Sequence, residues 1–202
     1  MAGKKILMLT GEFTEEYEIF VFQQGMEAVG HTVHVVCPDM RAGDKIQTSL
    51  HDFEGHKTYI ERLGHLADIN KTFCEVNVDE YDAVYCAGGR GPEYIRTDKR
   101  VQAMVKHFHV TNKPIFTICH GVQILVAVDG VVRGKRVAAL GGCEPEVRLA
   151  GGIYVDVKPT EAYVDGTMVS AKGWTGLAAF MRECLKVLGT EIRHGEMLRA
   201  AA

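Results

Sequence analysis

Short apolar runs and stretches with apolar residues every three or four positions take turns along this chain. Lys5 to Leu9 and Thr32 to Val36 are aliphatic or β-branched runs that predict strands. Between them, Glu15 to Val29 carries Ile19, Phe20, Phe22 and Met26 at helical spacing, so the chain opens as a βαβ unit. Asp82 to Cys86 and Pro114 to Ile118 predict two more strands, joined by a helix from Asp98 to about Val110. Strands that alternate with helices predict an α/β domain with a parallel sheet covered on both faces.

Arg41 to His65 interrupts this rhythm with polar residues, three His and scattered β-formers, and predicts an excursion of extended segments that forms a lid or an interface. The second half continues with a strand at Arg136 to Leu140, a short helix at Glu144 to Leu149 and a strand at Ile153 to Val157. Strands flank Asp165-Gly166, a pair suited to a type I′ turn. Trp174 to Leu188 predicts a closing amphipathic helix, with Trp174, Phe180 and Leu185 on its packing face. Residues 1–202 are expected to form one domain, with 193–202 as a mobile tail.

Composition narrows the partners. A formal net charge of -3, with no basic block, argues against nucleic acid. Without a secretory signal or an apolar run of membrane length, the expected location is the cytoplasm and no membrane partner is expected. The six cysteines show no C-x-x-C spacing and are expected to be reduced. His51, His56 and His65, although close to Asp52 and Glu54, lack the spacing of a metal site and read as part of a polar surface excursion. No metal or cofactor is expected.

Candidate chemistry centres on Thr117-Ile118-Cys119-His120-Gly121. A strand runs into this stretch, and Gly121 to Val128 reads as a helix leaving it, so Cys119 occupies a strand-to-helix elbow. At a helix N-terminus, unsatisfied N–H groups and the helix dipole favour a thiolate. The ordinary alternative is a small buried core cysteine. Ligands of open α/β sheets bind outside the carboxyl ends of the strands. There the order of elements gathers Glu12, Glu15, Glu16 and Glu18 after the first strand, Gly88-Gly89-Arg90 after the Cys86 strand, and Cys119-His120.

Three ordered strings, Glu15-Glu16-Tyr17-Glu18, Ala-Gly-Gly-Arg-Gly-Pro-Glu-Tyr at 87–94 and Ile-Cys-His-Gly at 118–121, resemble the DJ-1/PfpI superfamily. With Ala42-Gly43-Asp44 and the His51 to His56 string, the likeness is to PfpI-type and plant glyoxalase-like members and covers nearly the whole chain. It implies a flavodoxin-like three-layer sandwich with a mostly parallel sheet and a nucleophile elbow. Cys119 matches the family nucleophile and Glu18 the buried acid against its sulfur; the alternative for Glu18 is the outer face of a solvated helix. His120 is implied to pair with Glu93, and the resemblance allows that triad to cross a subunit boundary, in a dimer, trimer or hexamer. Glu93 also suits a helix entry after Pro92. Gly88 and Gly89 supply a turn that a ligand can approach closely, and the Gly89 and His120 N–H groups suit an oxyanion hole. Arg90 and Gly121 complete the candidate binding set. The chain departs from the family at Ala87, where proline is common, at Gly91, where alanine is, and at Leu177, where the plant relatives tend to carry His.

The resulting expectation is a cofactor-independent cysteine enzyme for small reactive carbonyl compounds, converting 2-oxoaldehydes to 2-hydroxy acids without glutathione. The alternatives are a cysteine hydrolase or hydratase, as in PfpI-type peptidases and isonitrile hydratases, or a peroxide sensor built on Cys119.

Overall fold

A computed structural model describes residues 3–193. The chain runs through β1 (Lys5–Leu9), β2 (Thr14–Glu15), α1 (Glu16–Ala28) and β3 (Thr32–Val36), then β4 (Lys45–Asp52), β5 (Ile60–Asp68) and β6 (Ala83–Cys86). It continues with α2 (Gly91–Ile95), α3 (Lys99–Val110), β7 (Ile115–Ile118) and α4 (Val122–Val126). Next come β8 (Arg136–Val137), α5 (Glu144–Leu149), β9 (Ile153–Tyr154), β10 (Ala162–Asp165), β11 (Met168–Ala171) and α6 (Leu177–Val187).

Six strands form the central sheet in the order β10-β11-β7-β6-β1-β3, all parallel except β10. The five parallel strands follow the flavodoxin-like order, with the switch point beside β1. Alternation along β1 explains the layers. Ile6 and Met8 pack with Phe22 and Met26 of α1 and Phe180 of α6, whereas Leu7 and Leu9 pack with Val101, Val105 and Phe108 of α3 and Leu125 of α4. Phe22 stacks on Tyr85 at 4.0 Å between ring centroids, and burying each such ring contributes roughly 1.5–3 kcal/mol. The start of α3 is set by Asp98, whose side chain accepts from the Arg100 N–H at 2.7 Å.

The excursion is an antiparallel hairpin, β4 with β5, which β2 extends to a three-stranded sheet. It reaches Asp68, further than expected, because cross-strand pairing continues through Lys45 and Asp68. Other expectations need correction. The strands expected at Arg136 to Leu140 and at Ile153 to Val157 end at Val137 and Tyr154 and pair with each other outside the central sheet. The helix after Cys119 is a short turn at Cys119–Gly121 followed by α4, which stops at Val126. Trp174 lies in a separate turn at Trp174–Gly176, ahead of α6. In the β10–β11 hairpin, Asp165 pairs with Met168, so Gly166-Thr167 are the central residues, and a positive φ at Gly166 (61°) alone matches a type II′ turn. No helix among the described residues is long and apolar enough to cross a membrane. The expected tail lies outside the described residues apart from Arg193.

Candidate active site

The wholly buried β7 ends in register with its neighbours, Thr117 opposite Cys86 and Ile118 opposite Ala171. The loops after β6, β7 and β11 therefore leave the sheet side by side. Cys119, the next residue, has φ 56°, a conformation that costs a non-glycine residue on the order of 1–3 kcal/mol and turns its side chain out of the strand path. This is the expected elbow.

Glu18 arrives from α1 with no solvent exposure. Tyr85 donates its hydroxyl hydrogen to the Glu18 carbonyl at 2.9 Å, and the Gly88 N–H donates to Glu18 Oε2 at 2.6 Å. A Cβ at position 88 would come within 2.6 Å of both Cys119 Cβ and that oxygen, so only glycine lets the acid and the thiol meet. Glu18 Oε1 is buried without a nitrogen or oxygen partner, and the Cys119 thiol stands within hydrogen-bonding reach of the same carboxyl. The reading of Glu18 as a solvated helix face is thereby excluded.

Burial, reinforced by the charge of Glu15, pushes the Glu18 carboxyl well above the usual range and so favours its protonated form. Burial and then an ionised Glu18 push the Cys119 thiol up, opposed by the Gly89 and His120 N–H groups. The two groups thus compete for one proton, and a thiolate forms when Glu18 keeps it. The short α4 offers little dipole, so the local N–H donors and the acid, rather than a long helix, govern the sulfur. All six cysteines are free; Cys119 is partly accessible, Cys74 exposed and the other four buried.

His120 Nδ1 lies 3.5 Å from Cys119 Sγ. Burial, then the nearby His51, lower its pKa to about 4, so the ring is neutral at pH 7. Among the described residues no carboxylate hydrogen-bonds to it. Glu93 is half-exposed at the start of α2, with its carboxylate 3.9 Å from Arg90 Nε. Arg90 does not line the cavity over Cys119; it pairs with Glu61 at 3.1 Å and braces the hairpin. Gly121 is buried below the elbow.

The four acids after β1 divide. Glu12 and Glu16 pin the hairpin, through the Gln47 N–H and through Thr48 and His65, whereas Glu15 and Glu18 point inward. Glu15, 1% exposed, accepts from the His51 N–H at 2.9 Å and lies 2.7 Å from His51 Nδ1; His51 Nε2 is 3.0 Å from Glu61. His51 is therefore a buried element of the site, not part of a polar surface as its sequence neighbours suggest. Among the described residues no cluster of His, Cys, Asp and Glu is arranged to hold a metal ion.

Cys119 and His120 open onto a cavity of about 430 Å³ with mainly apolar walls, including Phe53, Tyr59, Leu140 and Trp174. Trp174 was expected on the packing face of the last helix. It instead stacks on Tyr17 at 5.2 Å and donates its indole N–H to the His51 carbonyl at 2.9 Å. Tyr59 stands edge-on to both His51 and His120. Of these wall residues sequence reasoning singled out only Trp174, and in a different role; the aromatic residues flanking His51 were the available signal.

Residues 4–187 match the DJ-1/PfpI family. The chain is 40% identical over 191 residues to Protein DJ-1 homolog D of Arabidopsis thaliana, covering 94% of this chain and 49% of that protein. It spans about half the length of the plant proteins it matches. It is 37% identical over 191 residues to Protein/nucleic acid deglycase 2 of Escherichia coli, covering 94% of this chain and 99% of that protein. Among solved structures, Schizosaccharomyces pombe DJ-1 superposes with a TM-score of 0.69 at 17% identity, covering 90% of each chain, a likeness of fold.

Proposed function

The chain belongs to the DJ-1/PfpI family, and from that premise we propose that it is a cofactor-independent cysteine enzyme acting on small reactive carbonyl compounds, with 2-oxoaldehydes as substrates and 2-hydroxy acids as products. The observation that carries this reading is the sulfur of Cys119 at a strained strand end, against the buried acid Glu18 and facing a cavity. That several relatives are named deglycases supports carbonyl chemistry in general.

The thiolate adds to the aldehyde carbon, forming a C–S bond, and the carbonyl oxygen takes the proton from Glu18. Glu18, now a carboxylate, removes the proton from that carbon, giving an enediolate, and returns it to the neighbouring carbon while the hydroxyl proton on the first oxygen passes to the second, which leaves a 2-hydroxyacyl thioester. Neutral His120 accepts a proton from the attacking water, the C–S bond breaks, and the hydroxy acid leaves. Oxidation at one carbon balances reduction at the next, so the sequence needs no external redox partner. The Gly89 and His120 N–H groups stabilise the oxygen that develops charge.

The shared triad belongs to the same proposal. In a homo-oligomer, Glu93 of one subunit would orient His120 of another; the absence of a carboxylate partner for His120 among the described residues supports this.

The test is a panel of 2-oxoaldehydes with purified protein and no glutathione, with product identified as hydroxy acid and Cys119→Ala as control. Turnover lost in the control is expected. Stoichiometric Cys119 oxidation without turnover overturns the reading in favour of a sensor, and amide or isonitrile turnover in its place favours a hydrolase or hydratase.

A further inference from the structure

A 2-oxoaldehyde carries a variable group on its ketone carbon, and once Cys119 has taken the aldehyde carbon that group extends into the cavity. Aromatic rings lead away from the elbow. Tyr59 stands edge-on to His120 at 5.6 Å between ring centroids, and Phe53 edge-on to Tyr59 at 6.1 Å. Trp174 lines the same space from the turn after β11. The geometry points to a specificity pocket for a flat apolar group: the preferred substrates are 2-oxoaldehydes whose ketone carbon bears an aromatic ring, and Phe53, Tyr59 and Trp174 select them over glyoxal and methylglyoxal. This rests on Cys119 being the nucleophile of a 2-oxoaldehyde enzyme.

Three features of the walls agree. The first is size. About 430 Å³ lies within the range of pockets that enclose drug-sized ligands, whereas a methyl group meets only a small part of such walls and buries little surface against them. The second is that the inner rings are held before any ligand arrives. Trp174 stacks on Tyr17 with 26° between the planes and donates its indole N–H to the His51 carbonyl at 2.9 Å. Tyr59 stands between His51 and His120, edge-on to both. A ring that enters therefore costs these side chains little further freedom, and it meets faces and edges suited to stacked or edge-on contact. Phe53, 56% exposed, offers a surface that such a ring would cover. The third feature is polarity. Glu15 and His51 hydrogen-bond each other, Lys172 pairs with Asp156, and Thr175 donates to the Pro159 carbonyl at 3.0 Å. A tail of hydroxyls or a phosphate would have to break these pairs to be held, and each group left unpaired on burial costs affinity. An aromatic ring leaves them intact.

The experiment compares phenylglyoxal with methylglyoxal, without glutathione, in the wild type, Cys119→Ala and Phe53→Ala. Initial rates keep ahead of the slower reaction of phenylglyoxal with arginine side chains. In the wild type kcat/KM is expected to be at least about tenfold higher for phenylglyoxal, since one methylene in an apolar pocket already discriminates by roughly that factor. Phe53→Ala should narrow the ratio between the two substrates about threefold or more, the worth of one aromatic contact. A second readout needs no variant. Trp174 is the only tryptophan of the chain, so its emission reports on the pocket wall. Mandelate, the hydroxy acid formed from phenylglyoxal, should change that emission at a concentration at least about tenfold below lactate. Absence of Cys119-dependent turnover with both aldehydes overturns the substrate reading and this inference together. Equal kcat/KM for the two, a ratio that Phe53→Ala leaves in place, or mandelate no more effective than lactate overturns this inference alone.

Discussion

The elbow and the hairpin each bring one histidine to the same cavity, on either side of Tyr59, and the two rings are opposites. Both are largely enclosed. His120 has the thiol as its side-chain partner and is driven down to about 4 by burial, then by His51. His51 has a carboxylate at each ring nitrogen, and these outweigh burial and drive it up. Burial alone therefore does not decide the charge of a histidine here; the supply of carboxylates does. The elbow's own acid, Glu18, is pushed towards its protonated form by burial, whereas the hairpin sets two acid side chains against His51.

Removing the one acid of the elbow should have the largest effect. Glu18→Gln retains an acceptor for the Gly88 N–H but loses the exchangeable proton. Turnover should fall by about 10²–10⁴, the range for a positioned acid–base group, with the fold intact by circular dichroism. A parallel pH profile of Cys119 alkylation should change; an unchanged profile with unchanged turnover would make Glu18 scaffold only.

Adding or denying a carboxylate to His120 comes next. If Glu93 of a second subunit completes the elbow, Glu93→Ala should lower turnover at least about tenfold and weaken assembly at once, because an acceptor that orients a histidine base is worth that much or more. Kinetics with light scattering on the same samples measures both. A fully active monomer would refute the shared site and leave His120 with the thiol alone.

The histidines should also bend the stability curve in opposite directions. For His120 the folded value, about 4, lies below the ordinary 6.5, so the unfolded chain binds the extra proton between them. Stability is thus lost as pH falls from about 6.5 to about 4, by on the order of 3 kcal/mol in total. For His51 the folded pKa lies above the unfolded one. Its contribution is fully present below the unfolded pKa and is lost as pH rises through the folded one. His120→Gln should therefore flatten the acid side of a Tm-against-pH curve, and His51→Asn should flatten the neutral to alkaline side. Curves that change on the same side would break the contrast between the two rings.

Sequence and structure agree most where a period is strong. The strands β1, β3, β6 and β7 were legible to within a residue because their apolar runs are short, nearly unbroken and largely buried, as at Ile115–Ile118. The elbow was legible because Cys119 and His120 directly follow such a run. The hairpin was not. Leu63 and Leu66 are exposed on β5 while Thr48, Ser49 and His51 are buried on β4, so hydrophobicity points to the wrong faces. His51 is buried by partners 36 and 123 residues away, Glu15 and Trp174, which no local pattern contains. Glu15 was visible only as one acid among four; what singles it out is His51 on the neighbouring strand β4, 36 residues away. The length of α4 escaped too, since Gly121 to Val128 is apolar except for Gln123 and apolarity alone does not say where a helix stops.

The smallest effect tests how firmly the hairpin is held to the rest of the site. The Trp174 indole N–H donates to the His51 carbonyl, tying the turn before α6 to β4, while its ring stacks on Tyr17. Trp174→Phe keeps an aromatic wall and removes the donor. Loss of one neutral hydrogen bond should cost about 0.5–1.5 kcal/mol, a fall in Tm of roughly 1–6 °C for a domain of this size. Because His51 keeps both carboxylates, the pH profile of Cys119 alkylation should stay where it is, and turnover should change by less than about fivefold. A displaced profile would mean that the tryptophan, rather than Glu15 and Glu61, sets the charge of His51. The contrast between the two histidines would then rest on the packing of the hairpin and not on its acids.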